Sequence, residues 1–207
     1  YHLCVTSAGD KSDLRLEIPS FVLSDQRIVT VILASGSGGH LMNAILLDQQ
    51  AAATQVLNPS ARARVATSVA TPVDVSVNGT AIAAGLTSPN VGPYVLIPSG
   101  AVTLKVNGSD VVPVAPLTAG PGADVTVLLT GTGTTANLLA DDNTPSSSTA
   151  RPVKLRLVNG LNGATGTATM TLNNVLVGNG AAPGAASGYS QVASSAGLAR
   201  LEARIGA

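Results

Sequence analysis

The sequence predicts an all-β protein made of antiparallel β-sandwich domains in tandem, on three observations. Short segments alternate apolar with polar residues, turn signals separate them every ~8–12 residues, and the same pattern returns along the chain. Helical signal is scarce. Residues 40–50 and 193–205 can be forced onto a helical wheel, but Gly197 interrupts the second, and Leu201-Glu202-Ala203-Arg204-Ile205 alternates. Both therefore read mainly as strand.

Taken in chain order, Arg27-Ile28-Val29-Thr30-Val31-Ile32-Leu33-Ala34 is a nearly continuous apolar strand. Val73-Asp74-Val75-Ser76-Val77 sends three valines to one face and runs into Asn78-Gly79, the signature of a half-buried strand entering a tight turn. Val102-Thr103-Leu104-Lys105-Val106 repeats that pattern before Asn107-Gly108. Asp124-Val125-Thr126-Val127-Leu128-Leu129 closes at Gly131, and Val153-Lys154-Leu155-Arg156-Leu157-Val158 is a fifth strand.

These segments recur. Val73-Asp74-Val75-Ser76-Val77-Asn78 matches Ala168-Thr169-Met170-Thr171-Leu172-Asn173, an offset of 95 (168 minus 73), and Tyr94 matches Tyr189 at the same offset. Residues 100–106 match 197–203. Residues 23–33 resemble 117–129, and Leu46-Leu47-Asp48-Gln49 resembles Leu139-Ala140-Asp141-Asp142. Each of these last two leads through a Pro/Ser-rich linker (58–60, 144–148) to a basic alternating strand, Arg62-Ala63-Arg64-Val65 or Lys154-Leu155-Arg156-Leu157. The chain thus reads as three parts. Residues 1–57 are the C-terminal half of a sandwich repeat, 61–145 a complete repeat, and 151–207 the N-terminal half of another.

These features resemble the bacterial domain-of-unknown-function family 4397. The residues that carry the resemblance are Arg62 to Val65, Pro72 to Gly79, Tyr94 and Gly100, Leu117 to Gly120, Val125 to Leu129, and Leu138 to Asp142. The third unit departs from it, with Thr169 at the strand's Asp position and Asn173-Asn174 in place of Asn-Gly. The resemblance implies secreted or envelope-attached sandwich domains, Ig-like or transthyretin-like, and carries over no catalytic residues.

Composition narrows the function classes. Hydrophobic residues are 45% of the 207, but aromatics are 2%, with Phe21 the one Phe and no Trp. The core must be Val, Leu, Ile and Ala, which suits thin β-layers. Charged residues are 11%, against about 25% in ordinary soluble proteins, and the formal net charge is zero. Nothing supplies the basic face and stacking aromatics that nucleic acid requires. Low charge leaves little repulsion between copies. No apolar run reaches the ~18 residues that span a bilayer, so no membrane-spanning segment is expected. The chain opens at Tyr1 without a Met or signal peptide and reads as a processed chain or an excerpt. Its Ala/Gly/Ser/Thr/Val-rich, Lys-poor composition is like that of exported bacterial surface proteins, which places it outside the cell or on its surface.

No catalytic, cofactor-binding or metal-ligating residues are assigned. Cys4 alone can form neither an internal disulfide nor a zinc site. It reads as a frayed or buried strand residue, the alternative being pairing between molecules. His2 lies next to the start. His40 follows Ser35-Gly36-Ser37-Gly38-Gly39, where a Ser-His nucleophile is weighed against a flexible hairpin tip. Ser35 occupies the first Gly position of Gly-x-Ser-x-Gly, so the tip is preferred. Gly131-Thr132-Gly133-Thr134-Thr135-Ala136 fits a dinucleotide fingerprint but lacks room for the helix it needs before Pro145. Asp141-Asp142-Asn143, like Asp10 and Asp13, is too sparse for calcium and reads as a solvated linker. The sequons at Asn78 and Asn107 read as turns.

The function expected is a non-enzymatic extracellular structural protein. It would self-assemble into a surface fibre by β-strand or half-domain complementation, with other copies of itself as head-to-tail partners. Residues 1–57 would pair with 151–207 of the same or a neighbouring chain. The alternative is an adhesion or ligand-binding module of the cell envelope. It would take an extracellular glycan or protein on loops 87–93 and 178–188, near Tyr94 and Tyr189. A packing role for those tyrosines competes with that reading.

Overall fold

The computed structural model describes residues 1–49, 51–111, 116–131, 135–146, 152–194 and 197–206. Outside them lie residues 50, 112–115, 132–134, 147–151, 195–196 and 207, which several of the sequence readings include. Among the described residues every regular element is a strand, and no helix is long and apolar enough to cross a membrane.

The N-terminal region holds β1 (Leu3–Ser7), β2 (Asp10–Ile18), β3 (Val29–Ser35), β4 (Met42–Asp48) and β5 (Thr54–Val56). The central region opens with β6 (Ser60–Thr67), β7 (Val73–Val77), β8 (Thr80–Leu86), β9 (Val95–Pro98) and β10 (Gly100–Ala101). It continues with β11 (Leu104–Val106), β12 (Ser109–Asp110), β13 (Thr118–Ala119), β14 (Asp124–Thr130) and β15 (Thr135–Asp141). The C-terminal region holds β16 (Val153–Leu155), β17 (Ala168–Leu172), β18 (Val175–Ala181), β19 (Ser190–Val192) and β20 (Leu201–Ile205).

Two four-stranded sheets, ordered β12-β11-β7-β8 and β15-β14-β6-β9, share the largest apolar core. Period-2 alternation sorts the side chains. In β7 the three valines are buried and Asp74 is exposed; in β6 Ala61, Ala63 and Val65 are buried while Arg62 and Arg64 stay half-buried. Burying a Val or Leu side chain is worth about 1.5–3 kcal/mol. That explains why an almost purely aliphatic set suffices here. Asn78-Gly79 and Asn107-Gly108 all take positive φ, as the two-residue hairpin turn demands. Asn173-Asn174 does the same without glycine (φ 50° and 66°), because Asn tolerates the left-handed region. The Asn78 side-chain oxygen accepts from the Thr103 amide at 2.8 Å, and Asn173 repeats that bond to the Arg200 amide at 2.8 Å.

Among the described residues the strand pairs are antiparallel with one exception. β6 and β14 pair in parallel, Arg62 beside Asp124 and Arg64 beside Thr126. The chain leaves β6, builds the other sheet and returns, a long crossover that a parallel pair requires. Two strand readings shrink. The 102–106 segment keeps β11 alone, with Ala101 turning away to pair with β13. The 153–158 segment keeps β16, after which the Leu157 amide bonds the Ser187 hydroxyl. Of the proposed loop 178–188, Gly178 to Ala181 lies in β18.

Pairing orders recur between regions. β18-β17-β20 repeats β8-β7-β11, β16-β19 repeats β6-β9, and the β3-β4 hairpin repeats β14-β15. The small N-terminal core is Leu16, Ile18 and Ala44. Among the described residues β14 is flanked on both edges, by β15 and β6, whereas β3 pairs with β4 alone.

Candidate functional site

The densest polar chemistry lies on the outward face of the β15-β14-β6-β9 sheet. Because Ala61, Ala63 and Val65 turn inward, Arg62 and Arg64 turn out, and the parallel register sets them beside Asp124 and Thr126. Arg62 grips Asp124 with two bonds, Nε to Oδ1 at 2.7 Å and Nη2 to Oδ2 at 2.6 Å. The Asp124 side chain is fully buried, and Asn143 Nδ2 donates to its Oδ2 at 2.7 Å. Such a fork-on-fork pair is stronger and more directional than a single charged bond.

Asp141, opposite Asp124 across β14-β15, is the hub. Its side chain is fully buried. Its Oδ2 accepts from Thr126 Oγ1 at 2.5 Å and from the Tyr94 hydroxyl at 2.6 Å, with Arg64 Nε 3.6 Å away. Its Oδ1 takes Nη2 of Arg156, whose Nη1 donates to the Ala140 carbonyl at 2.6 Å. Tyr94 lies under both Arg62 and Arg64, each 4.6 Å from the ring centre. Burial, and the bond to Asp141, push its phenol up to about 12. Tyr189 plays the matching part for the following region: Arg156 sits 4.8 Å over its ring, and the Asp142 amide donates to its hydroxyl at 3.3 Å. Lys154 Nζ reaches Asp142 Oδ2 at 2.6 Å and holds that carboxyl below the ordinary range.

Asp141 is therefore no solvated linker residue, and the expectation is corrected. A carboxyl group buried this deeply needs cations and donors around it, and here Arg64, Arg156, Thr126 and Tyr94 supply them. The basic alternating strands and the acidic Asp141-Asp142 pair were visible in sequence; their meeting was not. The two tyrosines do share equivalent positions and lie against arginines. An open groove of about 690 Å³ runs beside the cluster, lined by Arg64, Asn143, Lys154, Arg156 and Tyr189 among others.

The glycine-rich segment at residues 36–39 is the tip of the β3-β4 hairpin, and it is docked on the central region. The Gly38 amide donates to the Gly122 carbonyl at 3.3 Å, and the Asn143 amide donates to the Gly38 carbonyl at 3.0 Å. A Cβ on Gly38 would stand 2.6 Å from Asp124 Cβ and Cγ, and closer still to the Asp124 backbone nitrogen. The glycines serve close approach, and a sequence cannot distinguish that use from a loose loop.

His40 sits behind this tip with both ring nitrogens engaged, Nε2 by Asp13 Oδ1 at 3.0 Å and Nδ1 by Arg15 Nη1 at 3.0 Å. Arg15 also pairs with Asp13 Oδ2 at 2.6 Å. Neither nitrogen is directed at Ser35 or Ser37. Burial first, then the Arg62 and Arg15 charges, hold His40 below its ordinary 6.5, against the pull of Asp13. The sign follows. The unfolded chain protonates near 6.5 while the folded one resists, so acidification through that value removes stability. Between about pH 7.5 and about pH 5, the thermal midpoint of the wild type should fall more steeply than that of His40→Gln. Parallel slopes would remove His40 as the cause.

The remaining readings place as follows. Asp10 accepts from the Ser12 amide and hydroxyl at the exposed start of β2. Gly131 follows β14 and Thr135 opens β15, so a strand stands where the dinucleotide fingerprint needs a helix. Cys4 is exposed on β1, neither frayed nor buried, and lies 3.5 Å from His2 Nε2.

The family described as a domain of unknown function (DUF4397) matches residues 61–166, which is 106 of the 207 residues. The match opens in β6 and includes Arg62, Asp124, Asp141 and Arg156. No curated protein matches the chain.

Proposed function

The chain belongs to the DUF4397 family, and from that premise we propose that it is a non-enzymatic structural protein of the extracellular surface. Its units are tandem Ig-like or transthyretin-like sandwiches that join head to tail, within a chain through the Asp141 hub and between copies through β3. The first point rests on Asp141, whose buried carboxylate takes Arg64 from its own unit and Arg156 from the following one. Charges arranged this way fix geometry between units and leave no free base or nucleophile among the hub's residues.

One observation carries the assembly. Ile32 and Leu33 on β3 are 44% and 45% exposed, while their counterparts on β14, Leu128 and Leu129, are 3% and 0% exposed. Among the described residues β14 has both a parallel neighbour and a facing sheet over it, and β3 pairs with β4 alone. A β16-β19 pair from another copy, laid on β3 as β6-β9 lies on β14, covers those residues and satisfies the open edge. The contact is heterologous, so it builds an open filament unless its rotation closes a ring.

Light scattering across a concentration series, with electron microscopy of the same samples, tests the proposal. Mass should grow with concentration, rods should appear, and Leu33→Lys should abolish both. A wild type that stays monomeric at high concentration overturns the assembly. The adhesion reading draws support from the groove beside Tyr189 and Lys154. A monomer that binds immobilised glycans would favour it.

A further inference from the structure

We propose that His2, Cys4 and Glu17 form a zinc site on the β1-β2 hairpin. Alternation builds the cluster. Leu3, Val5, Leu16 and Ile18 face the small N-terminal core, so His2, Cys4 and Glu17 take the opposite face. Cys4 and Glu17 are cross-strand partners, and His2 is two residues from Cys4 on the same side. The chain has one cysteine and two histidines, and one of each meets here. The backbone holds them in place: Leu3 pairs with Ile18, and the Phe21 amide donates to the Tyr1 carbonyl at 2.7 Å. His2 is thus braced on both sides.

The distances suit a metal. His2 Nε2 lies 2.7 Å from Glu17 Oε1 and 3.5 Å from Cys4 Sγ, and the three ligand atoms lie within 4.8 Å of one another. Tetrahedral zinc, with bonds of about 2.0–2.3 Å, sets its ligand atoms roughly 3.3–3.7 Å apart. The sulfur–nitrogen spacing already falls there. The nitrogen–oxygen spacing must open by about half an ångström, and both side chains are substantially exposed and free to turn. Thiolate, imidazole and carboxylate together suit zinc and not calcium or magnesium. Binding replaces the thiol proton and the His2–Glu17 hydrogen bond with three metal bonds: Cys4 releases one proton, the His2 Nε2 proton passes to Nδ1, and the fourth position is left to water.

The test uses the full chain in a non-thiol reductant, titrated first with cobalt(II) and then with zinc. A thiolate-to-cobalt charge-transfer band should rise to one equivalent and vanish on adding zinc. Cys4→Ser should abolish the band, and His2→Ala and Glu17→Gln should each weaken zinc binding at least about tenfold. Unchanged far-ultraviolet circular dichroism of each variant keeps the readings about ligation. No band in the wild type, zinc affinity equal in wild type and Cys4→Ser, or full affinity in both His2→Ala and Glu17→Gln would each overturn the site.

Discussion

Asp141→Ala is expected to destabilise the central region by about 3–5 kcal/mol, read as a lower urea midpoint with little change in slope. The magnitude comes from what is left behind. Arg156 is 10% exposed at its side chain, and Arg64 lies 3.6 Å from the lost carboxylate. Both cations would remain with their counter-charge gone, and the Thr126 and Tyr94 hydroxyls would lose the acceptor they share. Uncompensated buried charge is among the costliest single defects a fold can carry. Asp142→Ala supplies the contrast. Its partner Lys154 is close, but the Asp142 carboxylate is 44% exposed, and solvent screening limits the loss to about 1 kcal/mol. Equal losses at the two positions would mean that Asp141 is not the hub.

The same variant bears on how the β15 end is tied to the chain after β16. Asp141→Ala and Arg156→Ala combined should cost less than the sum of the two alone, with a coupling of about 1–3 kcal/mol, because each single change strands the other partner. Additive losses would mean the two regions are merely adjacent. The geometry predicts coupling, since the Arg156 guanidinium contacts Asp141 Oδ1 and the Ala140 carbonyl together.

Local grammar was readable wherever one residue's neighbours in sequence decide its fate. The valines of β7, the Asn-Gly turns and the alternating arginines of β6 all declare a face and a turn without distant partners. The hub was not readable. Its members come from residues 62, 64, 94, 126, 141 and 156, and they meet only through the pairing of β14 with β6 and β15, of β6 with β9, and the reach of Arg156 from beyond β16. Asp141-Asp142-Asn143 carries the composition of a linker, and its burial is a property of what packs over it. Likewise β16 stops short of the alternating pattern, because Arg156 is drawn to the Asp141 carboxylate and Leu157 to Ser187.

The tip at residues 36–39 makes a sharper case. Gly38→Ala is expected to cost about 2–4 kcal/mol, although one methyl group is all that is added. Gly38 does not require left-handed φ, so the penalty is purely one of space. The new Cβ would collide with the Asp124 nitrogen and meet that residue's side-chain carbons at 2.6 Å, atoms that the Arg62 clamp holds in place. The tip must then lift off, the Asn143 amide loses the Gly38 carbonyl, and water reaches a carboxylate that is now fully buried. Gly120→Ala is the control, with nothing within 4 Å of its added carbon, and should stay within about 0.5 kcal/mol of wild type. Hydrogen exchange at the Asn143 amide separates the two outcomes. It should accelerate in Gly38→Ala and remain slow in Gly120→Ala. Unchanged protection in Gly38→Ala would show that the N-terminal hairpin does not rest on the central unit through this tip.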